Sequence, residues 1–417
     1  MNKYLRKIYK YKKYAHFDSK KQPSFWLDYI RDPQKIIHHG FYPFIHYELK
    51  IWKYDNIKKD TKTKPRDINY SSHIDRYIYE HYNHILNKMY NLFAKENRIN
   101  KCAVAYRNNL HQNNITIAKE VFNFVYSNDD LLIIISDFTK YFDKINHAYL
   151  KERLMEVLKV KKLTDDWYKV FRSVTRYSSI DLNKIIEESG KTSKEIRSSI
   201  RLENLHSLKK FLVINKSGIG VPQGSSISST LSNVNLIKYD RFINDFITSR
   251  KGIYKRYCDD AIFILPAKHE TEFFEVYNNL NNEVPGIEIN SEKIQKYYYK
   301  NKQIIDENMN PTWLKYLGFQ FNGKVKRIRE KTITAFYLKA YRSIKGLKYI
   351  KKKFGRSAYI KRFYRSFTHL GKRKRKISRG NFLSYVDRSS VIMRDPGIRR
   401  QLSKHWIRFN RLLKEKS

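Results

Sequence analysis

Two adjacent carboxylates, Asp259 and Asp260, interrupt an otherwise β-prone stretch of the sequence. Residues 253–256 before them and the apolar run 261–265 after them predict a strand, an acidic turn and a second strand. Charged groups are costly in apolar surroundings, and two carboxylates a few ångströms apart need a cation to stay ionised together. A divalent metal ion held by oxygen ligands is the natural partner. This turn is therefore a candidate metal site.

Two further aspartate pairs occur, but their surroundings indicate ordinary structural positions. Asp129 and Asp130 precede an apolar run, as solvated loop charges do, and Asp165 and Asp166 follow Thr164 in the pattern of a capped helix start. Only the pair at 259–260 lies inside an apolar hairpin, which distinguishes it from the other two.

A third candidate carboxylate follows a predicted buried strand. Residues 131–135 form a continuous apolar run that leads into Ser136 and Asp137. Such a run predicts a strand covered on both faces. Asp137 then lies where the strand ends, at a position that could bring its carboxylate to a site.

A glycine- and serine-rich segment, residues 220–228, lies between these carboxylates in sequence. Ser225 or Ser226 is predicted to cap a helix whose apolar positions recur at helical spacing. Gly224 and the serines would give this helix a small face that another backbone can approach closely.

The composition limits the class of protein. With 417 residues, of which 41% are hydrophobic, the chain is long and apolar enough for two or three folded subdomains. Its 85 Lys and Arg against 40 Asp and Glu give a net charge of +45, which favours a polyanionic partner, above all nucleic acid. An anionic membrane is the alternative, but the apolar runs are far shorter than the roughly 20 residues of a spanning helix, so no membrane partner is expected.

The N-terminal residues and the two cysteines together predict the cellular compartment. The N-terminal residues are basic but lack a hydrophobic signal core, and the two cysteines, Cys102 and Cys258, cannot form a disulfide framework. A cytoplasmic location is therefore expected.

The chain divides into three predicted segments. Residues 1–65 form a basic and aromatic extension that ends in a polar connector at 58–65. Residues 66–330 begin with an amphipathic helix around Ile74, Ile78 and Tyr82, and contain a polar stretch at 178–210 that is expected to be an insertion or outer helices. Residues 331–417 are basic and helical.

Three features are expected near the C-terminus. Asn322 and Gly323 lie between alternating runs and predict a hairpin. The basic run 372–376 is either an exposed loop or a phosphate contact. A closing helix is predicted to bear one apolar face, made of Ile398, Leu402, Trp406, Phe409 and Leu413.

Three segments together resemble motifs A, B and C of reverse transcriptases. They are residues 136–143, which contain Asp137 and Phe142, residues 220–228, which contain Gln223 and Gly224, and residues 257–260, which begin at Tyr257. Their order and separations also match that family, although Ser229 stands where relatives often have proline. The resemblance covers about residues 64–328 and implies an α+β right-hand polymerase. Fingers and palm, an antiparallel sheet packed on helices, would occupy 66–330, and a helical thumb 331–417.

The resemblance implies a two-metal mechanism of phosphoryl transfer. Two Mg²⁺ ions, for which Mn²⁺ is a possible substitute, would be held by Asp137, Phe138, Asp259 and Asp260, where a primer 3′-hydroxyl attacks a dNTP. For Asp260 a structural salt bridge is the alternative role. Lys293, in the motif D-like stretch 290–293, would protonate pyrophosphate, but it is one of many basic residues.

Further roles are carried over from the same family. The implied nucleotide-binding residues are Arg66, Phe142, Gln223 and Gly224, where Phe142 would reject ribonucleotides or would alternatively be an ordinary core aromatic. The implied primer and template residues are Tyr257, Leu317, Gly318 and Phe319.

The family's subgroups give the most specific expectation. Residues 75–79 and 103–107 resemble defence-associated bacterial reverse transcriptases of the "unknown group" lineage, and type 2 is the expected subgroup. That lineage implies a dedicated noncoding RNA template, a cDNA product and a role in antiphage defence. A retron-like or intron-derived enzyme, protein-primed or non-templated synthesis, and an inactive RNA-binding scaffold are the alternatives.

Overall fold

The computed structural model describes residues 12, 14–55, 60–198, 201–202, 205–289, 294–355, 360–371 and 380–414. Across these residues, no helix combines the length and the apolar character that crossing a membrane requires. Lys293 and the basic run 372–376 lie outside the described residues.

Helices and strands both contribute to the fold, which confirms the mixed helix and sheet of the predicted α+β class. The helices are α1 (Pro23–Ile30), α2 (Pro33–Ile37), α3 (His73–Glu96), α4 (Asn114–Ser127), α5 (Tyr141–Lys144), α6 (His147–Leu158), α7 (Asp165–Thr175), α8 (Leu182–Ser189), α9 (Ser193–Ser198), α10 (Leu205–Leu208), α11 (Ser228–Asn235), α12 (Ile237–Ser249), α13 (Glu270–Glu283), α14 (Glu330–Phe354), α15 (Ile360–Phe367), α16 (Phe382–Met393), α17 (Gly397–Arg400) and α18 (His405–Lys414). The strands are β1 (Phe44–Glu48), β2 (Ile51–Asp55), β3 (Asp60–Lys64), β4 (Asp67–Tyr70), β5 (Leu131–Asp137), β6 (Ser178–Asp181), β7 (Val213–Ile214), β8 (Ile253–Tyr257), β9 (Asp260–Pro266), β10 (Gln295–Lys300), β11 (Gln303–Asp306), β12 (Leu314–Tyr316), β13 (Phe319–Phe321) and β14 (Lys326–Ile328).

The central sheet has the strand order β11-β10-β5-β9-β8, and all its neighbouring strands are antiparallel. Successive residues of β5 face opposite cores, with Leu132 and Ile134 in one and Leu131 and Ile133 in the other. This confirms that β5 is covered on both faces. The predicted hairpin is also confirmed, because β8 and β9 pair directly on either side of the acidic turn, which comprises Cys258 and Asp259.

A second sheet has the order β4-β1-β6-β7 and is called the N-terminal sheet because β1 and β4 precede the central sheet in sequence. Strand β1 pairs antiparallel with β4 and parallel with β6, so the predicted segment boundary at 65 falls inside this sheet. The polar stretch 178–210 therefore contributes strand β6 in addition to outer helices. The predicted connector at 58–65 is wrong in part, because residues 60–64 form β3, which pairs with β2.

The long helix α3 follows β4 directly in sequence. It begins after Ser72, whose hydroxyl accepts a hydrogen bond from the Asp75 backbone N–H at 3.1 Å. Ile74, Ile78 and Tyr82 are buried along one side, as their spacing predicted. Helix α7 likewise begins at Asp165, but the Thr164 side chain makes no capping hydrogen bond.

In the C-terminal region, the hairpin predicted at Asn322 and Gly323 is confirmed, but the closing helix differs from its prediction. The run 316–321 contains a turn at Leu317 and Gly318 between β12 and β13, and β13 pairs with β14 across a four-residue connection that includes Asn322 and Gly323. The predicted closing helix is two helices, α17 and α18, because residues 401–404 form turns between them. Ile398 and Phe409 are nevertheless both buried.

Candidate active site

Asp137, Asp259 and Asp260 meet at one end of the central sheet. Asp137, the last residue of β5, lies opposite Asp260, the first residue of β9, in the antiparallel register. Asp259 occupies the turn before β9, and its carbonyl accepts a hydrogen bond from the Phe138 backbone N–H at 3.3 Å. The sheet register therefore brings Asp137 to two adjacent carboxylates that lie more than 120 residues later in the sequence.

The three carboxylates repel one another. Removal from water, followed by the charges of Asp259 and Asp137, raises the pKa of Asp260 to about 6, and Arg329 opposes this rise. The pKa of Asp259 is raised mainly by burial and also by Asp137, while Arg66 lowers it. Since the charge of Asp137 raises the pKa of both Asp259 and Asp260, a bound cation would stabilise these two carboxylates in the ionised form.

Buried polar contacts hold the acidic turn in place. Cys258 has a positive φ of 63°, and its carbonyl accepts a hydrogen bond from the Arg256 guanidinium at 2.9 Å. Arg256 is fully buried and forms two hydrogen bonds with the Asp240 carboxylate, at 2.5 and 2.8 Å. A fourth hydrogen bond from Arg256 reaches Asn233 on α11 at 3.2 Å. The strained turn is thereby fixed to two helices, α11 and α12.

Tyr106 is a site residue whose position no sequence pattern predicted. Burial, followed by the neighbouring Cys258 thiol and Asp259 carboxylate, raises the pKa of the Tyr106 hydroxyl, so Tyr106 lies beside the acidic turn. Burial raises the pKa of the thiol to about 12, so Cys258 stays protonated and unreactive. Tyr106 also has a positive φ, of 60°, and its side chain remains 44% exposed. A positive φ at a non-glycine residue marks Tyr106 as a possible site residue, but this conformation can be seen only in the structure.

The segment 220–228 packs against both α5, the short helix that follows Asp137's strand, and the N-terminal sheet. The backbone N–H of Val221 donates to the Phe142 carbonyl at 2.9 Å, and that of Gly220 donates to Ile145 at 2.8 Å. On the other side, the Asn69 N–H donates to the Gln223 carbonyl at 2.8 Å. Segment 220–228 is therefore fixed between the two regions that carry the other candidate residues.

Gly224 is required by this arrangement. Its φ is +124°, and a Cβ at this position would collide with the backbone oxygen of Asn69. Only glycine adopts such a conformation without strain. The close approach of β4 to Gly224 places the N-terminal sheet beside the candidate site.

The predicted serine cap on the following helix is wrong. Helix α11 begins at Ser228 with Ile227 as its N-terminal cap residue, and neither Ser225 nor Ser226 caps it. The hydroxyl oxygens of Ser225, Ser226 and Ser228 are buried and have no hydrogen-bond partner among the described residues. The extra turns at 224–227 delay the helix start and leave these hydroxyls inside segment 220–228.

Arg66 and Phe142 both lie at the site. Arg66 is exposed at the junction of β3 and β4, where its backbone N–H and carbonyl both bond to Leu49, and its charge acts on Asp259. Phe142 is half-buried, and its ring meets the Tyr141 ring at 5.9 Å. Arg66 is thus close to Asp259, and Phe142 is close to segment 220–228. Their nucleotide-binding roles stay predictions.

The predicted primer and template residues differ in their exposure and in their contacts near the carboxylates. Tyr257 pairs with Asp260 in the β8–β9 register and is half-buried. The Gly318 carbonyl in the turn after β12 accepts a hydrogen bond from the N–H of Arg329, the residue whose charge acts on Asp260. Phe319 is fully buried, so only its backbone could contact a primer, and its predicted primer contact stays a prediction.

The donor set fits a cation only in part. In the described ranges, no group of three or more His, Cys, Asp and Glu side chains is arranged to hold a metal ion. The carboxylate oxygens of Asp137 and Asp259 are nevertheless the ligand type that Mg²⁺ prefers, and Mg²⁺ commonly uses one or two carboxylates together with substrate phosphates and water.

Comparison with known proteins gives similarity to solved structures alone. No protein-family model matches the chain, and no curated protein matches its sequence. The chain is similar to an apo telomerase from Candida tropicalis truncated from its C-terminal domain, with 14% identity, a TM-score of 0.46, and coverage of 73% of this chain and 60% of that one. It is also similar to a telomerase from Candida albicans in complex with a fragment of telomeric RNA, with 12% identity, a TM-score of 0.41, and coverage of 74% and 49%. The chain thus spans about half to three-fifths of those proteins, and likeness at this level does not identify a shared activity.

Proposed function

We propose that this chain is an RNA-directed DNA polymerase that extends a primer 3′-hydroxyl with dNTPs. The observation that carries the proposal is the meeting of Asp137, Asp259 and Asp260 at one end of the central sheet, with Asp260's pKa raised to about 6 by burial and by its two neighbours. Carboxylates clustered at the edge of a site suit the binding of divalent cations, which can in turn hold phosphates. The central sheet with its helices would be the palm, the N-terminal sheet part of the fingers, and residues 331–417 the thumb.

The carboxylates would bind the catalytic metal ions. Asp137, Asp259 and the Phe138 carbonyl are the proposed ligands, and Asp260 supports them or contacts metal more weakly. When bound, two Mg²⁺ ions would lower the pKa of the attacking hydroxyl and neutralise the leaving pyrophosphate. The protein's own contribution is the fixed turn beneath these ligands, where Arg256 and the strained Cys258 hold Asp259 in position.

The fingers side would bind the incoming nucleotide. Arg66 is exposed and its charge acts on Asp259, which suits a contact with the nucleotide's triphosphate. Phe142 is half-buried next to segment 220–228, where its ring would exclude a ribose 2′-hydroxyl. Gln223 and Gly224 would lie beside the nascent base pair. Lys293, which is outside the described residues, keeps its proposed role as the acid that protonates pyrophosphate.

RNA is the proposed template. A net charge of +45 gives the strong, sequence-independent attraction that a polyanion requires. The resemblance of residues 75–79 and 103–107 to defence-associated reverse transcriptases supports a dedicated noncoding RNA and a role in antiphage defence. The cDNA made from that RNA would then be the product on which defence depends.

Primer extension tests the polymerase activity. The purified chain, given a primed RNA template, dNTPs and Mg²⁺, should extend the primer, and Asp137→Asn or Asp259→Asn should reduce the rate by at least about 1,000-fold. Asp129→Asn is the matched control, since Asp129 is exposed at the opposite end of β5 and should leave the rate unchanged. RNA binding should survive all three substitutions. Equal activity of wild type and Asp259→Asn would refute the proposal.

Sequencing of copurified nucleic acid tests the template. One RNA species should dominate, with complementary DNA that is absent from the Asp259→Asn variant. A retron-like enzyme would instead show cDNA covalently joined to RNA, and a scaffold would show RNA without enzyme-dependent DNA. Random cellular RNA would contradict a dedicated template while leaving the polymerase proposal intact.

A further inference from the structure

A cavity of about 460 Å³ opens among the C-terminal helices, away from the candidate active site. Its walls come from α16, α17 and α18 and from His369, and it shares no residue with the carboxylate cluster. Apolar side chains, including Leu383 and Val386, form its inner wall. The volume is in the range of small-ligand sites.

An exposed indole forms one side of this cavity. Trp406 on α18 is 42% exposed, and one face of its ring stacks on Phe409 at 5.8 Å with an interplanar angle of 14°. Phe409 is fully buried, so it supports the indole from below. The edge of His369 meets the same indole at 5.1 Å. Trp406 is therefore held rigidly while part of its surface remains available to a planar ligand.

Some polar groups of the cavity already form hydrogen bonds within the protein, and others lie at its rim. His405 accepts a hydrogen bond from the Tyr337 hydroxyl at 3.1 Å and donates to the Phe367 carbonyl at 2.8 Å, so it acts as a fixed part of the floor. Arg399 and Arg400 are exposed at the rim. The Asp387 carboxylate accepts a hydrogen bond from Arg399 Nε at 2.9 Å and orients its guanidinium.

We propose that this cavity binds an unpaired nucleotide of RNA, with the base stacked on Trp406 and the adjoining phosphates paired with Arg399 and Arg400. Aromatic stacking combined with backbone contacts from basic residues is how proteins hold single-stranded nucleic acid without reading its sequence. Charge complementarity favours this occupant, because the rim is cationic and the whole chain carries +45. The chain's own neighbouring segment 372–379 is a weaker candidate, since its five consecutive basic residues would be repelled by the two arginines.

The site would anchor the RNA partner outside the polymerase centre. It therefore extends the proposed function without depending on catalysis, because binding to the cavity needs neither dNTPs nor the aspartates. An RNA held by one unpaired nucleotide in the C-terminal region would keep a fixed point while the template moves through the active site.

Equilibrium binding of the full chain tests the inference. The probes are an oligouridylate of about 12 nucleotides, within the usual range of single-strand site sizes, and inorganic polyphosphate of equal charge, which has no bases. Trp406→Ala should weaken RNA binding by about tenfold and leave polyphosphate binding unchanged, since the lost interaction is stacking. Trp406→Phe should keep most of the affinity, and Arg400→Ala should weaken both probes.

Two matched controls separate the cavity from general surface effects. Trp313, half-buried beside Arg327, is the control for fluorescence: RNA should quench wild type and Trp313→Phe alike, but quench Trp406→Phe less. Arg362→Ala, exposed on α15, should lower affinity less than Arg400→Ala. An unchanged RNA affinity of Trp406→Ala, or equal losses for RNA and polyphosphate, would overturn the proposal. Neither result would affect primer extension by the polymerase.

Discussion

Arg256 and Asp240 form an ion pair whose two side chains are both 0% exposed, and Arg256 also donates to the carbonyl of Cys258 in the acidic turn. Burial lowers the pKa of Arg256, but the Asp240 carboxylate more than compensates, so its pKa lies well above the usual value and the guanidinium stays charged. The Tyr254 hydroxyl adds a further hydrogen bond to Asp240 at 2.8 Å. A permanent buried charge pair thus connects helix α12 to the turn that carries Asp259.

Removal of one partner of this pair should be strongly destabilising. Arg256→Met leaves the Asp240 carboxylate buried without its cation, and such losses cost about 3–5 kcal/mol in free energy of unfolding. Urea denaturation of the full chain measures this cost. The double variant Arg256→Met/Asp240→Leu should be more stable than Arg256→Met, because no buried charge then remains.

A surface ion pair provides the control. Arg250 and Glu272 are partly exposed, so Arg250→Met should cost less than about 1 kcal/mol. Equal costs for Arg256→Met and Arg250→Met would show that burial of the Arg256 pair does not matter.

Substitution at Gly224 should impair catalysis more than stability. Alanine there must adopt a φ near +124° and its Cβ would collide with the Asn69 carbonyl, so segment 220–228 has to shift. Small displacements in a site cost up to about 100-fold in rate, and a loss of 10- to 100-fold in kcat/KM for dNTP is expected.

Gly218→Ala is the control for Gly224→Ala, because the two glycines share a positive φ but differ in their surroundings. Gly218 also has a positive φ, of 75°, but nothing lies within 4 Å of its added Cβ. This variant should lose about 1 kcal/mol of stability and keep its kcat/KM. Similar kinetic losses in both variants would mean that backbone strain, and not the contact with Asn69, is the cause.

Phe142→Ala should relax discrimination against ribonucleotides. If the ring blocks the sugar 2′ position, its removal should raise kcat/KM for rNTPs relative to dNTPs by at least about tenfold, measured by single-nucleotide incorporation. Phe246→Ala is the control, because that ring is also half-buried but lies on α12. A loss of stability without a change in the ratio would instead identify Phe142 as a core aromatic.

Local sequence patterns were sufficient for the elements that carry the carboxylates. The apolar runs of β5, β8 and β9 have the length of strands, so the sequence alone predicts them. A carboxylate at the end of such a run has few structural uses. Asp137 and Asp259 could therefore be named before their proximity was known. The sheet register that joins them is a tertiary property.

Local sequence patterns could not predict the contacts that fix the site. Arg256 reads as one of 85 basic residues, and its burial depends on Asp240 in a neighbouring helix. Tyr106 lies beside the acidic turn with a positive φ that its sequence does not require. Strand β6 was missed because it is short, polar and paired with a strand more than 130 residues away. Such features follow from long-range packing, which overrides local propensity.

The junction of three strands near Arg66 should give a pH-dependent contribution to stability. His46 on β1 is hydrogen-bonded through Nε2 to Asp67 on β4 and through Nδ1 to Asp181 on β6, each at 3.0 Å. Partial burial lowers the pKa of His46, but the two carboxylates outweigh it and the pKa is raised. A raised pKa means that protonation stabilises the fold, so this contribution is full below the unfolded value of about 6.5 and is lost as pH rises through the folded pKa.

His46→Gln should therefore destabilise the protein at acidic pH more than at alkaline pH. Since His46 is 28% exposed, the difference should be below about 1 kcal/mol, and urea titrations near pH 5.5 and pH 8.5 would measure it. His206→Gln, an exposed histidine on α10, should show the same small effect at both pH values. A larger loss for His46→Gln at alkaline pH would reverse the sign and show that neutral His46 is the form that connects β1, β4 and β6.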